Sequence, residues 1–154
     1  MDALKILLPY NFTRNDQKAL DFVIENFRGR DDTEVTLFNA YTPPPELEVR
    51  GSPVLMQMKG NVGYLSQKIA EKQEELEAVA GRLVSSGFDP DKVHTIFRPK
   101  KKDSAGDIID LAVGGRFGVV VLNRRAGGVT RFLTGSVFNK VITALKGKTV
   151  CVVN

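Results

Sequence analysis

The chain has 154 residues, of which 42% are apolar and 26% are charged; this suits one domain with a single core, and no apolar run approaches the ~18 residues of a membrane span. The net charge of +4 conceals an asymmetry, because residues 1–97 carry −4 and residues 98–154 carry +8. The basic last third leaves two interpretations open, an anionic partner or a solvated basic surface.

The N-terminal quarter predicts a strand, a helix and a second strand. The first strand is expected at 4–9, in a nearly continuous apolar run typical of a strand buried on both faces. Thr13 and Asp16 then resemble a capping box, and Gly29 fits a helix stop. Between them, apolar residues recur at the spacing of one helical face: Leu20, Val23, Ile24 and Phe27. The second strand is expected at 34–40.

Residues 41–61 interrupt this pattern with four prolines and two glycines, which predicts a long flexible loop. The longest helix is expected to begin near Val62 and to end near Ser86, with Gly87 as its stop. Its predicted apolar face consists of Leu65, Ile69, Leu76, Val79 and Leu83.

Three further strands are expected, at 92–97, 118–122 and 149–153. His94 lies inside the first of these, and no Ser-His-Asp or metal-ligand set accompanies it, which favours a structural role. Cys151 lies inside the last, where a buried and unreactive thiol is expected.

The basic run 98–102 precedes a helix that we expect to be capped within Ser104–Asp107. The run is either a handle for a polyanion or a solvated loop. Nucleic acid is not expected, because neither interleaved aromatic residues nor a reading helix is apparent. A last helix is expected from near Ser136 to near Gly147.

Strands and helices thus alternate along the whole chain, which we interpret as one domain over residues 1–154. Right-handed crossovers place helices on both faces of a parallel sheet, so the predicted fold class is a three-layer α/β/α domain with five parallel strands. Such sheets bind ligands beyond the carboxyl ends of their strands, where the strand order reverses. The segments that follow strands one and four are therefore the candidate site.

The segment 123–137, NRRAGGVTRFLTGSV, runs from a buried strand into a helix. Glycine lets backbone amides approach phosphate oxygens, and a helix N-terminus adds its positive dipole end. Gly135 and Ser136 stand where such a phosphate would lie, and the three arginines of the segment add charge that can pair with it. The other interpretation is an ordinary turn with Ser136 as an N-cap.

The order of elements and this spacing resemble the universal stress proteins. The resemblance rests on a start like ILLPYNFTRNDQKALDFVI and an ending like GVVVLNRRAGG…RFLTGSVFNKVI…KTVCVV, and it covers nearly the whole chain. It implies a strand order of 3-2-1-4-5 in an adenine nucleotide alpha hydrolase-like fold. It also implies a role in stress response and signalling, and a homodimer formed through the last strand, 149–153.

The resemblance further implies that ATP or another adenine nucleotide binds in the cleft between strands one and four, with Mg²⁺ entering only with the nucleotide. Asn11 is expected near the ribose or base, the backbone of Ala40 and Tyr41 near the adenine, and the segment after strand four around the phosphates. The complete set of expected contacts is Pro9, Tyr10, Asn11, Ala40, Tyr41, Asn123, Arg124, Arg125, Ala126, Gly127, Gly128, Gly135, Ser136 and Val137.

The match to the nucleotide-binding members is partial. They carry G-x2-G-x9-G-[ST] after strand four and an Asp just after strand one. Here Asn123 and Ala126 replace the first two glycines, and Asn11 replaces the Asp. Eight residues rather than nine separate Ala126 from Gly135. An alternative function therefore stays open, a nucleotide-free dimeric interaction or signalling protein with a degenerate loop and an unidentified protein partner.

No set of residues suited to catalysis is apparent, so an enzymatic role is not expected beyond slow ATP hydrolysis. The N-terminus lacks the basic start and the small-residue cleavage site of a signal peptide, which predicts a cytoplasmic protein without a membrane partner.

Overall fold

The computed structural model describes residues 2–45, 51, 53–123 and 137–154. In this part of the chain, the strands are β1 (Leu4–Pro9), β2 (Thr33–Tyr41), β3 (Val93–Pro99), β4 (Val119–Asn123) and β5 (Thr149–Val153). The helices are α1 (Arg14–Phe27), α2 (Pro53–Ser85), α3 (Ser104–Gly114) and α4 (Val137–Ala144). All strand pairs are parallel, and their order is β3-β2-β1-β4-β5. The predicted fold class and strand order are confirmed.

The central strand β1 is buried on both faces of the sheet. Ile6 and Leu8 belong to a core shared with α1 and α2, whereas Leu7 belongs to a second core shared with α3 and α4. All three side chains are fully buried. An apolar run without alternation is what a strand between two helical layers requires, and it accounts for the three-layer architecture.

Helix α1 begins with the predicted capping box. The hydroxyl of Thr13 accepts from the amide of Asp16, and the Asp16 carboxylate accepts in return from the amide of Thr13. Phe12 enters this turn with a φ of 63°, a left-handed conformation that is uncommon for a bulky residue. The helix ends at Phe27, and Gly29 follows with a φ of 76° as its predicted stop.

Helix α2 begins at Pro53, so the predicted loop over 41–61 is wrong for residues 53–61. Proline suits a first helical turn because its missing N–H would have no partner there. Gly60 lies on an exposed surface with no atom near its missing side chain, and its ~1 kcal/mol cost is tolerated among good helix formers. Residues 46–50 and 52 lie outside the described part.

Helix α2 has 33 residues and is therefore about 50 Å long, but it packs unevenly. Its fully buried residues, Leu76 and Leu83, both lie in its C-terminal half, which rests on β2 and β3. In the N-terminal half, the large apolar residues Val54, Met56, Met58, Tyr64 and Leu65 are exposed. The sheet thus anchors one end of the helix.

The predicted cap of α3 is off by one residue, because Asp103 rather than Ser104 is the N-cap. Its carboxylate accepts from the amide of Gly106 at 2.7 Å. Lys140 of α4 pairs with the same carboxylate at 2.8 Å, and these contacts, the lysine first, hold the pKa of Asp103 below its usual range. Asp and Ser are comparably good N-caps, so the sequence alone does not distinguish these two adjacent positions.

The described helices include none that is both long and apolar enough to cross a bilayer. Cys151 is half-buried in β5, and burial raises the pKa of its thiol. A raised pKa lowers the thiolate fraction at neutral pH, which fits the unreactive thiol expected from the sequence.

The two halves of α2 should respond differently to truncation. Leu83→Ala removes a fully buried side chain and should lower the free energy of unfolding by about 2–5 kcal/mol. Met56→Ala, at a residue that is 61% exposed, should change it by no more than about 0.5 kcal/mol. Urea denaturation followed by circular dichroism measures both values; equal losses would contradict the one-ended anchoring of α2.

Candidate functional site

A cleft of about 850 Å³ opens at the carboxyl ends of the strands. It lies where the strand order reverses between β1 and β4, which is the usual ligand position in open parallel sheets. Its volume is within the ~300–1,000 Å³ of small-molecule sites. The described residues that line it are 11–16, 39–45, Leu65, Lys68, Ile69, Lys72, Lys100, Ser104 and Asn123.

The carboxylate of Asp16 organises the turn between β1 and α1. Asp16 is only 1% exposed. Its Oδ2 accepts from the amides of Asn11 and Thr13, each at 3.0 Å, and from the Thr13 hydroxyl at 2.7 Å. Its Oδ1 accepts from the side-chain amide of Asn123, the last residue of β4. One buried carboxylate therefore joins α1 to the ends of both strands that flank the reversal point.

Asn39 of β2 ties a third strand to the same turn. This buried side chain donates to the carbonyl of Tyr10 at 2.8 Å and to Oδ1 of Asn11 at 3.3 Å. Asn11 is exposed in the cleft, and its side-chain nitrogen has no partner among the described residues. Because Asn39 already occupies one lone pair of the Asn11 oxygen, Asn11 can offer a ligand its side-chain N–H groups and one remaining acceptor position.

The structure brings four predicted site residues to the cleft: Asn11, Ala40, Tyr41 and Asn123. Pro9 ends β1 behind them. The side chain of Tyr10 is not part of the cleft wall; it is 4% exposed in the core, and its ring meets that of Phe12 edge-on at 5.3 Å. Burial, and secondarily the nearby Asp16, raises the pKa of Tyr10.

The other predicted contacts fall on the segment after β4. Arg124, Arg125, Ala126, Gly127, Gly128, Gly135 and Ser136 lie outside the described residues. Val137 is the first described residue of α4. The predicted phosphate loop itself therefore stays a prediction.

The end of β2 supplies a flat aromatic boundary. The rings of Tyr41 and Phe97 stack with their centres 4.7 Å apart and their planes at 28°. The carbonyl of Tyr41 accepts from the amide of Lys100 at 2.7 Å. This carbonyl is therefore engaged, which leaves fewer backbone groups of Tyr41 for an adenine than the sequence suggested.

The sequence did not reveal the wall that α2 contributes. Periodicity identified Leu65 and Ile69 as apolar-face residues, yet both border the cleft, and Lys68 and Lys72 lie beside them. Which side of a helix meets a cleft depends on how the helix crosses the sheet, and periodicity does not contain that information.

Asp16 was also missed as a site residue, although its capping box was found. The Thr-x-x-Asp spacing predicts local bonds within the first turn of a helix. The additional bonds to Asn11 and Asn123 connect positions 5 and 107 residues away, and the one available signal was that Asp16 directly follows a strand expected to end at the site.

The basic run 98–102 divides among separate environments. The guanidinium of Arg98 lies 5.4 Å from the centre of the Phe38 ring, and Lys102 pairs with Asp110 at 2.8 Å. Lys100 is the member of the run that lines the cleft. The run is therefore not one continuous surface, and its link to the candidate site is a single lysine.

No group of three or more His, Cys, Asp or Glu residues within the described ranges is arranged to hold a metal ion. His94 is exposed on β3, with its Nε2 3.7 Å from a carboxylate oxygen of Glu34. The polar residues of the cleft are suited to binding through hydrogen bonds and charge.

Comparison with known proteins gives a family and a fold. The model of the universal stress protein family matches residues 3–153. No curated protein sequence matches the chain.

Three solved structures illustrate the structural likeness. The hypothetical protein MJ0577 is 22% identical with a TM-score of 0.72, over 99% of this chain and 96% of that one. The Archaeoglobus fulgidus universal stress protein in complex with dAMP is 19% identical with a TM-score of 0.65, over 100% of both chains. A universal stress protein family member from Arabidopsis thaliana with AMP bound is 14% identical with a TM-score of 0.59, over 97% of this chain and 92% of that one. At these identities the likeness shows the shared fold.

The organising role of Asp16 can be tested by removing its carboxylate. Asp16→Ala should lower the free energy of unfolding by about 3 kcal/mol, because two amides and the Asn123 side chain lose their acceptor. Asp21→Ala is the matched control on the same helix; that aspartate pairs with Arg82 at 2.5 Å but is half-exposed, so its loss should cost less than about 1 kcal/mol. Chemical denaturation of both variants compares them; similar losses would contradict the role given to Asp16.

Proposed function

This chain belongs to the universal stress protein family, and on that premise we propose that it is a cytoplasmic stress-response regulator that binds an adenine nucleotide in the cleft between β1 and β4. The observation that carries the proposal is the cleft itself. It lies at the reversal point of the sheet and is lined by Asn11, Ala40, Tyr41 and Asn123, four residues expected to contact a nucleotide.

The comparisons support the ligand class. The related structures include one in complex with dAMP and one with AMP bound, and both chains share this fold nearly end to end. In the proposed complex the base lies beside Ala40 and Tyr41, the ribose beside Asn11, and the phosphates beside the segment that follows β4. In this proposal Mg²⁺ enters only with the nucleotide.

The departures from the family motif are compatible with this proposal. Asn123 stands where the nucleotide-binding members carry glycine, and here its side chain donates to Asp16. Asn11 stands where they carry Asp, and its side-chain oxygen accepts from Asn39 at 3.3 Å. Both replacements thus contribute to the polar framework of the cleft, and Asn11 keeps one side-chain nitrogen for a ligand.

The second candidate is a nucleotide-free interaction protein. The observation in its favour is the same Asn11, since the carboxylate expected to receive ribose hydroxyls is absent and the oxygen of Asn11 is engaged by Asn39. This candidate predicts no binding of ATP, ADP or AMP.

Calorimetry separates the two candidates. The proposal predicts that AMP, ADP or ATP binds to the purified protein at up to millimolar concentration. Gly135→Ala combined with Ser136→Ala should weaken that binding about tenfold, or ~1.4 kcal/mol, because phosphate loses a hydroxyl and close backbone contact.

The matched control changes the same residue types away from the cleft. Gly81→Ala with Ser85→Ala lies on an exposed face of α2, where an added Cβ meets no atom within 4 Å, and it should leave the affinity unchanged. Absence of heat with all three nucleotides, together with the absence of any small molecule released from the protein, would leave the interaction protein as the function.

We also propose that the protein forms a homodimer through β5. This strand lies at one edge of the sheet and pairs with β4 alone in the described structure. Unpaired edge groups favour pairing with a second copy. Light scattering should give a mass near twice 17.0 kDa, and Val152→Pro, which removes an edge N–H, should shift it toward the monomer. A monomeric mass for the unmodified chain at high concentration would contradict the dimer.

A further inference from the structure

The charged groups that the described cleft presents to a ligand are all cations. Its lining includes Arg14, Lys68, Lys72 and Lys100, which we call the cationic wall, and a single acid, Asp16. Asp16 is 1% exposed and receives four hydrogen bonds from its own chain. It is therefore engaged within the protein rather than with the wall or a ligand.

Three members of the cationic wall are uncompensated. Lys68 bonds to Glu71 at 3.2 Å, and this contact raises its pKa. The side chains of Arg14, Lys72 and Lys100 are exposed and have no acidic partner within the described ranges. Cations that line one cleft without acidic partners favour an anionic ligand group.

Most of this wall is distant from the end of β4, which the predicted phosphate segment follows in the sequence. Arg14 opens α1, Lys72 lies on α2, and Lys100 follows β3, whereas the predicted phosphate segment follows β4. β3 and β4 are three strand spacings apart, or about 14 Å. One phosphate chain beside β4 would leave Lys72 and Lys100 without a counter-charge.

The uncharged side chain of Asn11 is also compatible with a phosphate group on the ribose. Asn11 stands three residues before Arg14 in the turn that the ribose is proposed to contact. A carboxylate there would repel a phosphate placed on the ribose, whereas the free side-chain nitrogen of Asn11 can donate to one. Asn11 and Arg14 lie in the same turn and line the same cleft as Lys72, and none of the three opposes an anionic group.

We propose that the cleft prefers an adenine nucleotide whose ribose carries a second phosphate, at the 2′ or 3′ position, over a nucleotide phosphorylated at the 5′ position alone. The second phosphate lies between Asn11, Arg14 and Lys72, and Lys100 adds positive potential. This inference rests on the proposed nucleotide-binding function and specifies its ligand class.

Calorimetry with four probes tests it: AMP, ADP, adenosine 3′,5′-bisphosphate and adenosine 2′,5′-bisphosphate. One bisphosphate should bind at least tenfold more tightly than AMP. It should also bind more tightly than ADP, which has the same total of two phosphates but carries both on the 5′ chain. Its affinity should also fall more steeply with added salt than that of AMP.

The deciding variant is Arg14→Gln with Lys72→Gln. Both side chains are exposed, so the fold should be retained. In this variant the affinity for the bisphosphate should fall to about the affinity for AMP, so that the tenfold preference is lost. Lys18→Gln with Lys59→Gln removes the same charge from α1 and α2 outside the cleft and should leave the preference intact.

The outcomes separate the inference from the function beneath it. If AMP binds but neither bisphosphate binds more tightly than ADP, the cationic wall binds phosphates of the 5′ chain. That result overturns the inference and leaves the proposed function standing. Equal loss of preference in the control variant shows a general charge effect and also overturns the inference. If none of the four probes binds, the inference is overturned, and titration with ATP then decides the proposed function separately.

Discussion

Burial of β1 on both faces is the constraint on which the rest of the structure depends. A strand with Ile6 and Leu8 in one core and Leu7 in the other has no polar face, so helices must cover it from both sides. Polar side chains can then gather only at its ends. The strand order reverses between β1 and β4, and the cleft lies at the carboxyl ends of these strands.

The polar groups at this end are of two kinds, those that hold the protein together and those left for a ligand. Asp16 and Asn39 are buried, and both form hydrogen bonds with the turn after β1. Asp16 also accepts a hydrogen bond from Asn123 at the end of β4. Asn11 and the cationic wall are exposed. Because the carboxylate of Asp16 is engaged within the protein while Arg14, Lys72 and Lys100 have no acidic partner in the described ranges, the described part of the cleft favours anions.

The sequence predicts most of the fold and only part of the site. Apolar runs and helical spacing located the strands, and the capping box at Thr13 located the start of α1. The start of α2 was missed because prolines and glycines were read as a loop signal throughout 41–61, whereas Pro53 occupies a first helical turn and Gly60 a solvated face. The location of Asn11 and Ala40 in the cleft can be predicted, because they lie at or just after the carboxyl ends of β1 and β2. The location of Lys72 and Lys100 in the cleft cannot, because it depends on how α2 and β3 are placed around the sheet.

The double use of the turn after β1 also affects how this protein can be compared with its relatives. Asp16 contributes to the cap of α1 and to the junction of two strands, so selection for a stable fold would retain it even in a lineage that had lost its ligand. Asn11 and Arg14 have no such duty through their side-chain nitrogens and are free to drift with ligand preference. A carboxylate at the position of Asp16 in a related sequence is therefore a marker of folding, whereas the residues at positions 11 and 14 are the ones that would change with the ligand.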